Sequence, residues 1–232
     1  MARSKRFDKF KQETLENSVF TMSEGSRLAF IKKVYSYFGA SLFVAFIGSV
    51  IAMKTSMGAI VYQNHFLFVI LEFASLIGLF FLRKKEPVNQ ILLFTFTFLF
   101  GLTLGPMLLA YQISGNFNVV IQAFALTTIA FGGLTAYAWT TKKDFSYLGG
   151  FLWIGIFLLI GAMIVNIFIT VPIMSTIISM FGVILFSMFI LYDTQNIMKR
   201  YSEDEYIMGA IDLFLDFVNL FLFILSLLSN DR

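Results

Sequence analysis

Seven apolar runs, each about as long as a helix needs to cross a lipid bilayer, follow one another with short polar linkers between them. They occupy Phe30–Met53, Phe66–Leu82, Val88–Tyr111, Val119–Trp139, Tyr147–Thr170, Ile173–Ile197 and Tyr206–Ser229. Inside a bilayer no water pairs with the backbone, so every N–H and C=O must be satisfied within the protein. Runs of this length then read as helices, and linkers this short leave no room for a soluble domain. The composition agrees: 58% of the 232 residues are hydrophobic and only 13% are charged, about half the charge of a soluble domain. The expectation is an all-α integral membrane protein with seven transmembrane helices.

Basic residues set the expected orientation, because Lys and Arg are retained on the cytoplasmic side. They crowd the N-terminal head (Arg3, Lys5, Arg6, Lys9, Lys11, Arg27), thin to Lys54 alone, return as Arg83-Lys-Lys85 and vanish around Gly115. Lys142-Lys143 and Lys199-Arg200 continue the alternation. This places the N-terminus in the cytoplasm and the C-terminus outside, which an odd number of crossings requires. Residues 1–27 read as a polar basic cytosolic tail, too long and too charged for the start of a signal peptide, and residues 28–232 as the transmembrane domain. Pro106, in Gly101-Leu-Thr-Leu-Gly105-Pro106, reads as a packing kink or a hinge whose small neighbours admit another helix. Gly132-Gly133 and Gly149-Gly150 read as close-packing positions.

The last run carries polar groups that lipid would reject. Asp212, Asp216 and Asn219 are spaced four and three apart, so they share one helical face. An ionised Asp at the centre of a spanning helix costs ~2.5–3.5 kcal/mol on insertion scales, so this face must look into protein or water. Glu72, Arg83 and Asp193 are the other charges in or at the ends of apolar runs. Asp193 and Arg83 fall near the cytoplasmic ends of their helices, as a structural pair or as a switch. Asp216 lies deeper, about 15 Å in at ~1.5 Å per residue. Asp193 is only four residues from the end of its run, so the two meet only if one helix is tilted or shifted. Glu72 is either a protonated, hydrogen-bonded acid or a polar group on a path, and Asp212 a vestibule or a path residue. Glu203-Asp204-Glu205 reads as a solvated loop that gathers cations. With no Cys and a single histidine, His65, the chain offers no disulfide, no thiolate zinc site and no cysteine nucleophile.

Ile190-Leu-Tyr-Asp193-Thr-Gln195 followed by Leu213-Phe-Leu-Asp216-Phe-Val-Asn219-Leu-Phe221 resembles the paired signature of the Bax inhibitor-1 (transmembrane BAX inhibitor motif) family, in a bacterial-type form. Arg83-Lys-Lys, Gly101–Pro106 and Lys142-Lys-Asp-Phe-Ser146 stand in the matching order. The resemblance implies a seven-helix fold in which the C-terminal helix is central, surrounded by the other six. It also implies a pH-sensitive calcium leak, with Asp193 and Asp216 as a di-aspartyl sensor latched by Arg83. Phe214 stands where many relatives have Tyr, which removes a hydroxyl. Two carboxylates ~6 Å apart at an effective dielectric of about 20 repel by roughly 2.8 kcal/mol, enough for the pair to keep sharing a proton toward neutral pH. Glu72, Asp212 and Asn219 would be auxiliary polar residues of the pore. Calcium prefers 6–8 oxygens, so Asp193 and Asp216 would bind it weakly, as conduction requires.

Rival functions come from other classes. Paired aspartates, one following Tyr192, are also found in intramembrane aspartyl proteases, but those need Gly-x-Gly before the second Asp, and Phe214-Leu215 stands there. No enzymatic activity is expected. A membrane interaction protein that modulates a protease or another channel, and a proton-coupled cation exchanger, are the alternatives. The expected partners are the lipid bilayer, calcium ions, protons and membrane proteins, with no nucleic acid and no cofactor beyond Ca2+ as the permeant ion. The richness in Phe, Ile and Lys points to a bacterial plasma membrane.

Overall fold

A computed structural model describes residues 24–168 and 172–230, and its regular structure there is helical throughout. The helices are α1 (Glu24–Lys54), α2 (Met57–Gln63), α3 (His65–Leu82), α4 (Val88–Ile113), α5 (Phe117–Thr140), α6 (Leu148–Phe168), α7 (Pro172–Lys199) and, after a single 3-10 turn at Glu203–Glu205, α8 (Tyr206–Asn230). Seven of them, all but α2, are long and apolar enough to cross a membrane. Most of the polar head, and the end of the fifth run, lie outside the described residues. His65 opens α3 and is exposed. Pro106 sits inside α4 without ending it, and Pro172 opens α7, where its missing N–H leaves no bond unmade.

The helices leave their apolar side chains outward. Only 11% of the best window of α3 and 17% of that of α6 is buried within the protein, and residues such as Phe66, Phe81 and Phe168 stand more than four-fifths exposed. Water would penalise such surfaces; a bilayer solvates them. The chain is therefore a multi-pass membrane protein. α8 differs from the rest, with 56% of its window buried.

The helices fall into two compact units. The first holds α1 to α3, α4 as far as Pro106, and residues 196–212. Its tightest contact is between α1 and α4. A Cβ on Gly101 would run into the Ala45 carbonyl oxygen and one on Gly105 into Ala52, while one on Gly48 would lie 2.6 Å from the Phe98 carbonyl oxygen. Three glycines thus let two backbones meet, the close approach expected of the Gly101–Pro106 segment. The α2 helix, which no apolar periodicity announces, folds Val61 and Met57 onto Ala52 and Leu102.

The second unit holds residues 107–168, 172–195 and 213–230. Phe124 and Phe131 of α5 meet Phe217 of α8 edge-on, at centroid distances of 5.8 and 5.5 Å. Gly155 of α6 receives the Leu185 side chain of α7. The other glycine pairs are largely not packing sites. Space within 4 Å of a Cβ on Gly132, Gly133 or Gly150 is empty, and only Gly149 has a close neighbour, the Tyr192 hydroxyl. Glycine in those three helical positions faces outward, where no neighbouring backbone demands its small size.

Candidate functional site

The second unit carries both signature carboxylates. Asp193 is six residues from the end of α7 and 9% exposed; Asp216 is ten residues into α8 and 3% exposed. Gln195 fastens this end of α7 to the segment after α5: its Oε1 accepts the Phe145 N–H (2.8 Å) and its Nε2 donates to the Lys143 carbonyl (2.7 Å).

Two contacts fix the register of α7 against α8. Phe186 stacks on Phe223 with centroids 5.8 Å apart, and Ser179 Oγ lies 2.7 Å from Ser226 Oγ. The residue numbers run in opposite senses, so the helices are antiparallel. Phe186 is seven residues before Asp193, and Phe223 is seven residues after Asp216. The stacked rings set the two carboxylates level and the hydroxyl pair sets them four residues apart, so Asp193 and Asp216 lie within about one turn of each other, on the faces that hold the rings. On the side of α8 turned from Asp216, Phe217 and Phe221 pack against Phe124. The helix is thus acidic on one face and aromatic on the other.

Asn219 turns its amide back to its own helix, donating to the Leu215 carbonyl (2.7 Å). Such a bond satisfies one donor of a group inside the membrane without a partner helix.

The other charged candidates, Glu72, Arg83 and Asp212, lie in the first unit. The Thr103 hydroxyl donates to Glu72 (2.6 Å), joining α4 to the middle of α3, and Glu72 is half-buried. Asp212 accepts a hydrogen bond from the Tyr201 hydroxyl. Arg83 follows the last residue of α3; its carbonyl accepts from the buried Asn89 (2.8 Å), and its guanidinium pairs with Glu205 (3.7 Å). Lys84 pairs with Asp204 (2.9 Å). The acidic turn is solvent-exposed at Glu203 and Asp204 and gathers cations, as expected. It binds the cations of the α3–α4 linker and is shaped by a reciprocal cap, in which Ser202 and Glu205 bond each other's backbone and side chain. The signal was present in the sequence as Ser-x-x-Glu before an apolar run, outweighed there by the density of acids.

A second cluster at this end was not visible in the sequence. Tyr206, the fully buried first residue of α8, donates its hydroxyl to Glu86 and accepts from Gln90 Nε2 (2.9 Å). Lys33 Nζ stands 3.4 Å above the Tyr206 ring and 3.6 Å from Glu86. The Tyr206 hydrogen bond, with the Lys33 charge adding to it, holds the Glu86 carboxyl below the ordinary glutamate range. The start of α1, the α3–α4 linker and the turn before α8 thus meet at one end of this unit, the end that the Lys and Arg alternation assigns to the cytoplasm. Among the described residues no three His, Asp or Glu side chains gather as a metal-binding group.

The family model for the inhibitor of apoptosis-promoting Bax1 matches residues 27–232, from the start of the first spanning helix to the last residue. The chain belongs to the Bax inhibitor-1 family. Relatives lie in distant organisms. An uncharacterized protein of Campylobacter jejuni is 40% identical over 91% of this chain and 93% of its own length. The protein called Bax inhibitor 1 in Schizosaccharomyces pombe is 36% identical over 96% of this chain and 83% of its own. The Golgi anti-apoptotic protein of vaccinia virus is 34% identical, covering 92% and 90% respectively. In this member of the family Asp193 and Asp216 are both buried within the protein.

Proposed function

We propose that this chain is a pH-sensitive calcium leak channel, gated by protonation of Asp193 and Asp216 with Arg83 as the cation that competes for their charge. The observation that carries the reading is the pair of buried aspartates on the antiparallel α7 and α8, within about one turn of each other. Intramembrane carboxylates are costly unless they work, and two together share a proton whose loss or gain changes the local charge by one. Acid fills the pair, removes the attraction for a guanidinium and frees the helix that bears Arg83. Arg83 has an alternative partner in Glu205, so releasing the latch need not strand the cation. Glu72, Asp212 and Asn219 serve as polar residues along the path, and calcium binds weakly to Asp193 and Asp216, because tight binding would block conduction. The membrane is that of a bacterial cell, with the N-terminus inside and the C-terminus outside.

Purified protein in calcium-loaded vesicles tests this. Acid is expected to stimulate release by the natural chain, while Asp193→Asn and Arg83→Ala leak at all pH values. Flux that stays acid-gated in both variants refutes the latch. A second reading, a membrane protein that modulates a partner, draws on the names Bax inhibitor 1 and Golgi anti-apoptotic protein carried by two relatives. Silence of the purified chain in every condition favours it, and flux that saturates and requires a counter-ion favours an exchanger.

A further inference from the structure

The facing surfaces of α7 and α8 are ordered in levels beyond the carboxylates. On α7 the residues Asp193, Phe186, Gly182, Ser179 and Ser175 fall on one face, spaced by seven, four, three and four. On α8 the residues Asp216, Asn219, Phe223 and Ser226 do the same, spaced by three, four and three. Reading along the antiparallel pair, carboxylates come first and hydroxyls last. The Ser179 and Ser226 hydroxyls are bonded to each other, Ser179 also reaches the Ser175 carbonyl (2.8 Å), and Asn166 of α6 donates to Ser175 Oγ (3.2 Å). Between these polar levels lies one aromatic level.

Phe223 is the residue out of place. It occupies the polar face of α8, where the pattern calls for a group like Asn219 or Ser226, whereas Phe217 and Phe221 serve the apolar face. The opposite helix has made room for it: a Cβ at Gly182 would lie 2.5 Å from the Phe223 ring. Phe186 covers the ring in near-parallel stacking, at 20°. A bulky ring fitted to a glycine on a polar seam separates its two polar levels, and a path narrowed by apolar side chains expels water and stops ions without a physical plug.

We propose that Phe223, seated on Gly182 and stacked on Phe186, is the hydrophobic barrier of the permeation path, dividing the carboxylate level from the hydroxyl level. The proposal rests on the channel reading and adds a residue to it. The carboxylates sense acid on one side of the ring, and conduction requires the Phe223–Phe186 stack to part.

The chain has no cysteine, so single cysteines can be placed without removing any. Asn219→Cys and Ser226→Cys flank the ring, and a membrane-impermeant methanethiosulfonate reagent is applied to intact cells and to inverted vesicles. The expected result is that each cysteine reacts from one face only, and from opposite faces. With Phe223→Ala added, each becomes reactive from both faces, and calcium release from vesicles at neutral pH rises about tenfold or more, whereas Phe223→Leu stays closed. Both cysteines reacting from the same face with Phe223 intact overturns the barrier, as does Phe223→Ala leaving both labelling and flux unchanged. The first comparison needs no Phe223 variant to fold. If no variant passes calcium, the channel reading fails by itself, while the labelling pattern still decides whether Phe223 separates two aqueous levels.

Discussion

At the scale of single residues, the glycines of this chain divide into two kinds that the sequence does not distinguish. Gly101 meets the backbone of α1, so Gly101→Ala must push two helices apart, and overpacking of this sort costs ~1–3 kcal/mol. Gly132 and Gly133 face open space, where alanine fills nothing and is favoured in a helix by up to about 1 kcal/mol. Thermal unfolding in detergent is therefore expected to fall for Gly101→Ala and to hold or rise for Gly132→Ala; the reverse order would contradict the α1–α4 contact. Glu86 supplies a pH-dependent case. Its carboxyl titrates lower in the folded chain than the ordinary 4.5, chiefly through the Tyr206 hydrogen bond. The stability it lends is thus present above that value and is lost as pH falls through the lower folded one. Glu86→Gln should flatten the acid limb of the melting-temperature profile below about pH 4.5, and an unchanged limb would remove Glu86 from the account.

At the scale of elements, the apolar runs were legible to within about two residues except at the start of α1, which begins six residues before Phe30, because a bilayer imposes length and hydropathy on any helix that crosses it. The polar face of α8 was legible too, from the spacing of Asp212, Asp216 and Asn219. The α2 helix was not, since seven residues carry too little periodicity and Met57-Gly58 looks like linker. Register was also hidden: residue counts from the ends of α7 and α8 suggest that Asp193 and Asp216 sit at different depths. Only the Phe186–Phe223 and Ser179–Ser226 contacts, made far from both aspartates, bring the two carboxylates to within about one turn of each other. That register can be checked directly. Ser179→Cys with Ser226→Cys should cross-link within one chain under mild oxidation, because their side-chain oxygens lie 2.7 Å apart. A pair that never cross-links would mean that α7 and α8 are offset otherwise.

At the scale of the whole molecule, the chain combines a lipid-facing exterior with carboxylates that lipid would reject, and family membership joins that combination to relatives in bacteria, yeast and a virus. The outer surface, rich in exposed Phe, Ile and Leu, follows from the bilayer alone; the buried charges are where the proposed function is placed. The central claim is that Asp193 and Asp216 act as one titrating unit. Two groups that share a proton give non-additive variants, since removing either destroys the same pair. The decisive measurement is the pH profile of calcium release from vesicles holding Asp193→Asn, Asp216→Asn or both. The account predicts that each single variant loses the acid dependence and that the double variant behaves like either one. An Asp216→Asn protein that still opens with acid at the natural midpoint would contradict it.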